Sequence, residues 1–471
     1  MEVKLFLSSP AESLLALGLS EQDARSKQLL AQTETITALK SAIKVTKKEK
    51  AEVARQFKSI APGSEAQTQL IAAMQTVSKK LNQLDVQVKA AEQLLQETLL
   101  DLQPQTLQPQ VPEKVPPFIA IDPQSRYSGS YRVRELATQE LNAWYEFLGT
   151  HTATAYHQPA WADVIQKSFK HPTRIWAAFS REGKILGGLP LTFFDSRLFG
   201  RFAVSIPYFN YGGIVSPWFN VARDLLAHLR QVCLDEKLSH IEVRTMQANL
   251  GEEASTKKVS MVLALPTSEA ALDEQLGAKV RAQYKKAEEH NPQVRFGKLE
   301  LLDDFYRVFA RNMRDLGTPV YAREWFANIL QVPEIAARLA VIYVAEKPVS
   351  AGFVVGYRGM LEIPWASTIK EANALNTNMW MYRQILSFAI REGYTFFDFG
   401  RSTRDAGTYK FKKQWGAQPY THYWYTLVPP GTQPPELNPD NPKFTLMIAV
   451  WRRLPVWVTR LIGPPIVANL P

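Results

Sequence analysis

Cysteine is nearly missing. The single Cys233 in 471 residues excludes an internal disulfide framework and any cysteine-based zinc site, and it fits a reducing compartment, with the cytoplasm as the default. Long hydrophobic runs are missing too. No stretch reaches the roughly 18 apolar residues of a membrane span, and the apolar residues ahead of Ser8 and Ser9 are too few for a secretory signal. There is no Gly-x-Ser-x-Gly elbow and no Cys-His pair for covalent catalysis, and Cys233 falls in an amphipathic helix as a core residue. The seven histidines show no His-x-x-x-His spacing, so no metal is expected. Acids are in deficit, 45 against 55 Lys and Arg, which leaves a net charge of +10 and a pI near 9.4. That balance favours a polyanionic neighbour: nucleic acid, anionic lipid headgroups, or a nucleotide-linked or phosphorylated substrate. With 46% hydrophobic and 21% charged residues the chain is globular, and its length suggests about three units.

The first hundred residues read as a helical arm, placed at 1–102. Met74, Val77, Leu81, Leu84, Val88, Ala91, Leu95 and Leu102, with Thr98 in the remaining slot, step by threes and fours as a heptad seam. A weaker seam runs through Leu29, Ile36, Leu39, Ile43, Val53 and Phe57, interrupted by Gln32, Thr46 and Lys50. Pro62 and Gly63 stop one helix and Ser64 can cap the next, so the two seams fold onto each other as an antiparallel hairpin. Lys40, Lys44, Lys47, Lys48, Lys50, Arg55 and Lys58 make one side positive. Such a face either lies along a phosphate backbone, making tRNA a candidate partner, or serves as a solvated spacer or dimerisation helix. Prolines 104, 109, 112, 116, 117 and 123 among glutamines mark 103–128 as a linker.

Beyond the linker the sequence echoes itself at a displacement of about 160 residues. Tyr156, Trp161 and Ile165 recur as Tyr321, Trp325 and Ile329. The strand-turn-strand at 175–188 recurs at 340–351, and the helix and strand ending in His240-Ile241-Glu242-Val243-Arg244 recur in Tyr382–Ile390 and Phe396-Phe397-Asp398-Phe399-Gly400. Two copies of one α/β unit follow, at 129–265 and 298–430. They are joined by a basic helix at 266–297 carrying Lys279, Arg281, Lys285 and Lys286, which either hinges the copies or lines their cleft.

The order helix, antiparallel hairpin, strand, helix, strand is that of the GNAT acetyltransferase fold. Two segments give a more specific resemblance. Ser205-Ile206-Pro207-Tyr208-Phe209-Asn210-Tyr211-Gly212-Gly213, preceded by Leu198-Phe199-Gly200, is similar to the first domain of FemAB-like acyltransferases. Phe397-Asp398-Phe399-Gly400-Arg401-Ser402, with Gly407-Thr408-Tyr409-Lys410-Phe411-Lys412 and Trp415-Gly416, resembles their second domain. Gly317-Thr318-Pro319 and Asn373–Tyr382 reinforce the match, which is strongest to the branch associated with exopolysaccharide and protein-sorting loci. The arm resembles the tRNA-binding arm of seryl-tRNA synthetases. The resemblance implies tandem GNAT-like domains and a reaction in which an amine attacks an activated acyl carbonyl. It also implies an acyl donor, aminoacyl-tRNA or acyl-CoA, instead of a tightly bound cofactor, and as acceptor a glycan or glycopeptide precursor of the cell wall or exopolysaccharide. The competing class is a non-catalytic RNA-binding or scaffold protein of an envelope export system.

Direct aminolysis needs a proton acceptor and donors for the oxyanion, but no protein nucleophile. Asp398, a carboxylate among aromatics, either orients or deprotonates an amine, or forms a structural ion pair with Arg401 or caps a loop. With them, Tyr409 belongs to the candidate catalytic set that the resemblance implies. Arg401, Lys410, Lys412 and Lys413 form an anion clamp or a solvated loop. Asn373, Asn376 and Asn378 either cap the helix of the second copy or meet an anion there. Tyr208, Asn210 and Tyr211 suit a sugar or peptide, or are simply packed. Arg281, Lys285, Thr318, Tyr382 and Trp415 complete the candidate substrate-binding set. Neither copy has the Gln/Arg-x-x-Gly-x-Gly/Ala loop usual in coenzyme-A-binding GNAT enzymes. The acid-free tail 444–471, with Trp451, Trp457 and Arg452, Arg453 and Arg460, suits either a peripheral membrane contact or docking on the protein itself, and Pro455, Pro464 and Pro465 are expected to limit any continuous helix there.

Overall fold

The structure, a computed structural model, describes residues 3–16, 20, 23–57, 65–102, 116, 121–196, 199–433 and 442–470. It divides into two compact units, 1–108 and 109–471.

In the first unit, short helices α1 (Val3–Ser8) and α2 (Pro10–Ala16) precede the long α3 (Ala24–Phe57) and α4 (Glu65–Leu102). The expected turn at 59–64 lies outside the described residues. Contacts between Gln32 and Thr98, Lys40 and Glu92, and Glu49 and Lys80 run in opposite order along the two helices, which makes the pair antiparallel. Leu29, Ile36, Val88 and Leu95 are buried along the seam, as the heptad spacing requires. Leu99 takes the inward place beside Thr98, whose hydroxyl accepts from Gln32. Phe6 and Leu14 complete the small core from α1 and α2. Lys44, Lys47, Lys48 and Lys50 are exposed.

The second unit holds tandem GNAT-like domains. The first runs β1 (Tyr131–Glu135), α5 (Leu141–Thr150), α6 (Ala160–Phe169), β2 (Thr173–Ser180), β3 (Ile185–Ser196), β4 (Gly200–Val204), α7 (Phe219–Asp235) and β5 (Ile241–Thr245), followed by β6 (Ala254–Ser255) and β7 (Lys258–Ala264). After α8 (Glu269–Gln275) and α9 (Ala278–Glu288), the second repeats the order. It comprises β8 (Gln293–Gly297), α10 (Leu302–Leu316), α11 (Arg323–Leu330), β9 (Ala336–Val344), β10 (Lys347–Tyr357), β11 (Met360–Thr368), α12 (Thr377–Arg391) and β12 (Phe396–Thr403). Then come α13 (Gly407–Lys413), β13 (Gln418–Thr421), β14 (Tyr423–Leu427), α14 (Pro442–Trp451) and α15 (Val456–Val467). The end of the expected linker is annexed by the first domain: Ile121 and Tyr127 pack on its core, and the Tyr127 amide donates to Asn220.

The sheets read β1-β2-β3-β4-β5-β14-β6 and β13-β7-β12-β11-β10-β9-β8. The two copies therefore exchange their last strands. Strand β7 leaves the first copy to pair with β12, and β14 leaves the second to pair with β5. Because β6 pairs with β14 and β7 with β13, one antiparallel ribbon runs through both sheets. His422, the residue between β13 and β14, is buried at the crossing, with Nε2 2.9 Å from the Ser260 hydroxyl.

Among the described strands only β4–β5 and β11–β12 pair in parallel, and both pairings are short. The first ends at Val204 opposite Glu242 and the second at Glu362 opposite Asp398. Beyond these points the strands separate and a wedge opens. In the second sheet the separation coincides with a register shift of β12 against β7 between Asp398 and Arg401, where Gly400 adopts φ +77°, a conformation costly for any residue with a Cβ.

The C-terminal helices pack on the second unit. Gly463 of α15 lies against the backbone of Val320, where a Cβ would come within 2.9 Å of its amide nitrogen. Arg314 donates to the Leu454 carbonyl and Arg452 to that of Leu316. The expected limit on helix formation does not hold: α15 carries Pro464 and Pro465 inside it and begins directly after Pro455, whose missing N–H costs nothing at a helix start.

Candidate active site between the two domains

Glu362 and Asp398 end neighbouring strands at the mouth of the second wedge, and both are buried. The first domain reaches across to them. The segment 205–213 leaves β4 where pairing with β5 ends, Tyr208 takes a left-handed backbone (φ 72°), and the chain turns Asn210 and Tyr211 toward the carboxylates. Tyr211 donates to Asp398 Oδ2 at 2.7 Å, Asn210 Nδ2 donates to Glu362 Oε1 at 3.1 Å, and Tyr156 donates to Glu362 Oε2 at 2.6 Å. The Gly400 amide donates to Asp398 Oδ1 at 2.8 Å. Thus the first domain supplies Tyr156, Asn210 and Tyr211, and the second supplies both acids.

Tyr211 owns one proton, and the short bond to Asp398 uses it. Its second contact, 3.3 Å to Glu362 Oε2, is favourable when Glu362 carries a proton and donates back. Burial, then repulsion from Asp398, push Glu362 up to about 8. Burial likewise raises Asp398, against the hydrogen bonds from Tyr211 and Gly400 and the charge of Lys412. The pair thus holds one proton near neutrality. Lys412 Nζ bonds the carbonyls of Gly400 and Arg401 at 2.9 and 2.8 Å, and burial lowers it to about 8 against the pull of the two acids.

Glu362 and Tyr211 line a cavity of about 20 Å³ with Ala153, Thr154, Tyr357 and Met360, enough for one water-sized group. A second cavity of about 40 Å³ shares Ala153, Thr154 and Tyr211 as walls and reaches His157 and Gln247. His157 is part of the frame. Its Nδ1 accepts from the Thr154 amide, its Nε2 donates to the Gly213 carbonyl, and burial lowers its pKa to about 4.

On the first domain's side, Arg244 and Arg401 both stand over Trp424, at 4.7 and 5.2 Å from the ring centre. Arg244 is tied to Glu242 at 2.7 Å and to the Phe209 carbonyl at 3.0 Å. Arg401 is exposed, and its guanidinium has no hydrogen-bond partner among the described residues. Asp398 is therefore not paired with Arg401. Tyr208, Tyr321, Trp325 and Phe169 form the adjoining aromatic wall.

Of the residues singled out from sequence, Asp398, Asn210, Tyr211 and Lys412 come together here, with Arg401 and Tyr208 beside them. Tyr409, Tyr382 and Trp415 are instead packed in the second domain's core. Arg281 bonds backbone carbonyls of Asp273 and Leu276 between α8 and α9, and Lys285 and Lys410 are exposed. Thr318 is exposed beyond α10, its amide closing that helix onto Met313. Asn373 and Asn378 flank the start of α12. Asn376 is the capping residue, but in a left-handed backbone and without a side-chain cap bond. Sequence reasoning missed Glu362, Arg244 and His422, and it read Tyr156 only as a mark of the repeat. The lone acid in Met-Leu-Glu-Ile-Pro-Trp, inside an apolar strand, was the available signal.

The family described as acetyltransferase (GNAT) domain matches residues 276–413, a stretch within which both acids and Lys412 fall. No curated protein matches the chain in sequence. Among solved structures, the chain is similar to FemX, at 14% identity over 63% of this chain and 97% of that one, with a TM-score of 0.49. It is also similar to a tandem GNAT protein from the clavulanic acid biosynthesis pathway (13% identity, 64% and 100% coverage, TM-score 0.42). A third is L-PGS from Bacillus licheniformis (13%, 72% and 99%, TM-score 0.43).

Proposed function

We propose that the chain is an N-acyltransferase whose carboxylate pair takes the proton released when an amine attacks an activated acyl group. The observation carrying this reading is the burial, side by side, of Glu362 and Asp398 at the domain junction, with Glu362 and the Tyr211 that bonds Asp398 lining a cavity there. Two adjacent carboxyls without bulk water cost stability and add nothing to packing, whereas a pair holding one proton near neutrality is matched to proton transfer at pH 7. In the reaction the acceptor nitrogen forms a bond to the acyl carbon. The ammonium proton passes to the ionised carboxylate through the Tyr211 hydroxyl, and collapse of the oxyanion breaks the bond to the donor's oxygen or sulfur, which leaves with that proton, returned from the carboxylate pair. Lys412 stabilises negative charge at the wedge.

The donor we favour is aminoacyl-tRNA, ahead of an acyl thioester. The support is the unpartnered Arg401 guanidinium beside Arg244, the basic arm, and the missing coenzyme A loop. The acceptor in this reading is an amine on a cell-wall or exopolysaccharide precursor, a glycan or glycopeptide suited to the aromatic wall around Tyr208. Charged tRNA and acyl-CoA should be offered to the full chain and to a chain lacking residues 1–102. Arm-dependent tRNA binding with transfer to an amine supports this donor, and coenzyme A binding that survives removal of the arm replaces it with an acyl thioester. If neither donor yields an acylated amine, the reading fails.

A further inference from the structure

No described helix is long and apolar enough to cross a membrane. The second unit nevertheless carries an apolar surface that none of its described residues covers. On α14, Met447 and Val450 are 63% and 50% exposed, and on α15, Trp457 and Leu461, one turn apart, are 68% and 69% exposed. Ile462 and Leu316, whose carbonyl holds Arg452, extend the patch. These side chains are not the loose end of an unfolded tail. The opposite face of α15 is fixed by Thr459, Gly463 and Val467, all buried, and by the Ala468 carbonyl, which lies 2.6 Å from His171 Nε2. Arg460, itself exposed, lies over the Tyr306 ring at 5.0 Å.

Charge decides what covers this surface. From 441 to 470 there is no Asp or Glu, while Arg452 and Arg453 are exposed between the two apolar faces. The nearby acid Asp315 is neutralised by Arg314 at 2.7 Å. Exposed apolar side chains, a tryptophan and arginines in a segment that itself has no acid suit a bilayer interface of anionic headgroups, in which Trp457 and Leu461 sit below the phosphates and Arg453 meets them. A patch made for a second protein would more often alternate charges at its rim.

We infer that α14 and α15 form a monotopic docking surface for an anionic bilayer. The Ala468 carbonyl also accepts from the Tyr208 hydroxyl at 3.4 Å, so a docked α15 holds the aromatic wall of the site next to the membrane.

The test is co-sedimentation of the full chain with vesicles of pure phosphatidylcholine and with vesicles containing phosphatidylglycerol, comparing the wild type with the double variant Trp457→Glu/Leu461→Glu. The basic arm is intact in both, so its own attraction to anionic lipid cancels. The expected result is binding that requires phosphatidylglycerol and weakens at least about tenfold in the variant, with an unchanged unfolding temperature. Equal binding of the two proteins, or none to either vesicle at low salt, overturns the inference. So does a wild-type dimer that the variant converts to a monomer in light scattering without any vesicle binding, since a second copy would then cover the face. If the double variant unfolds early, Trp457→Ser alone, at a position that is 68% exposed, provides the same comparison.

Discussion

Tyr211 and Asp398 meet across the domain boundary: a hydroxyl from the first copy donates at 2.7 Å to a carboxylate of the second. Neither domain alone can hold Asp398 in this state. Tyr211→Phe removes the donor while keeping the ring, and leaves a buried oxygen short of a partner, a loss of about 1–3 kcal/mol. Turnover should fall by about 10²-fold or more because the proton path is cut. Denaturant unfolding and single-turnover acyl transfer check the two effects separately.

The pH dependence of stability should have an unusual shape. The folded pKa of Glu362 is raised from 4.5 to about 8, so its contribution is fully present below 4.5 and is lost as pH rises to about 8. That of Lys412 is lowered from 10.5 to about 8, so its contribution is present above 10.5 and is lost as pH falls through about 8. The two together predict a local minimum of stability near pH 8. Glu362→Gln should flatten the decline between 4.5 and 8 while leaving the rise above 8. Urea midpoints measured across that range will show whether it does.

Trp325 lies at the centre of the aromatic wall, fully buried, with its indole nitrogen unpartnered among the described residues. Trp325→Ala should cost about 3–5 kcal/mol through the cavity it leaves. Trp325→Phe discards a donor that is not being used and should cost much less. Equal losses in urea unfolding would show that the nitrogen has a partner the geometry does not reveal.

The arm has its own small core in Phe6, Leu14, Leu29, Ile36, Leu95 and Leu99, and the catalytic unit begins after it. A chain starting at residue 116 should therefore unfold at the same temperature as the corresponding transition of the full protein, as calorimetry can show.

Which features were legible in the sequence follows from the range of the interactions involved. The helical hairpin and the repeat are local patterns, and heptad steps and the Tyr156/Tyr321 and Trp161/Trp325 echoes expose them. The strand exchange is not local. Whether β7 pairs with β5 or with β12 is settled by how two finished sheets meet, and Lys258–Ala264 reads as a buried strand in either case. Asp398, Asn210 and Tyr211 could be found because each is a polar residue in an otherwise apolar or glycine-containing segment, and Lys412 because it falls in a cluster of lysines shortly after Asp398. Glu362 carries the same mark but stands outside any motif, so only its register opposite Asp398 reveals it. Tyr409, Tyr382 and Trp415 mislead for the converse reason: an aromatic next to a basic loop looks like a ligand wall, and here burial in the core around α12 uses it up. The basic helix α9 suits either a hinge or a cleft wall by its charge; its apolar side packs on α12, Arg281 holds backbone carbonyls and Lys285 is exposed.

The central claim is that Glu362 and Asp398 serve proton transfer and are not a structural pair. Its most direct test is the rate of acyl transfer by Asp398→Asn, measured beside the wild type on whichever donor the binding comparison selects, with circular dichroism and acceptor binding as controls. The account predicts a fold and an acceptor affinity close to wild type and a turnover lower by about 10²–10⁴-fold. A folded Asp398→Asn protein that transfers the acyl group at the wild-type rate would contradict it.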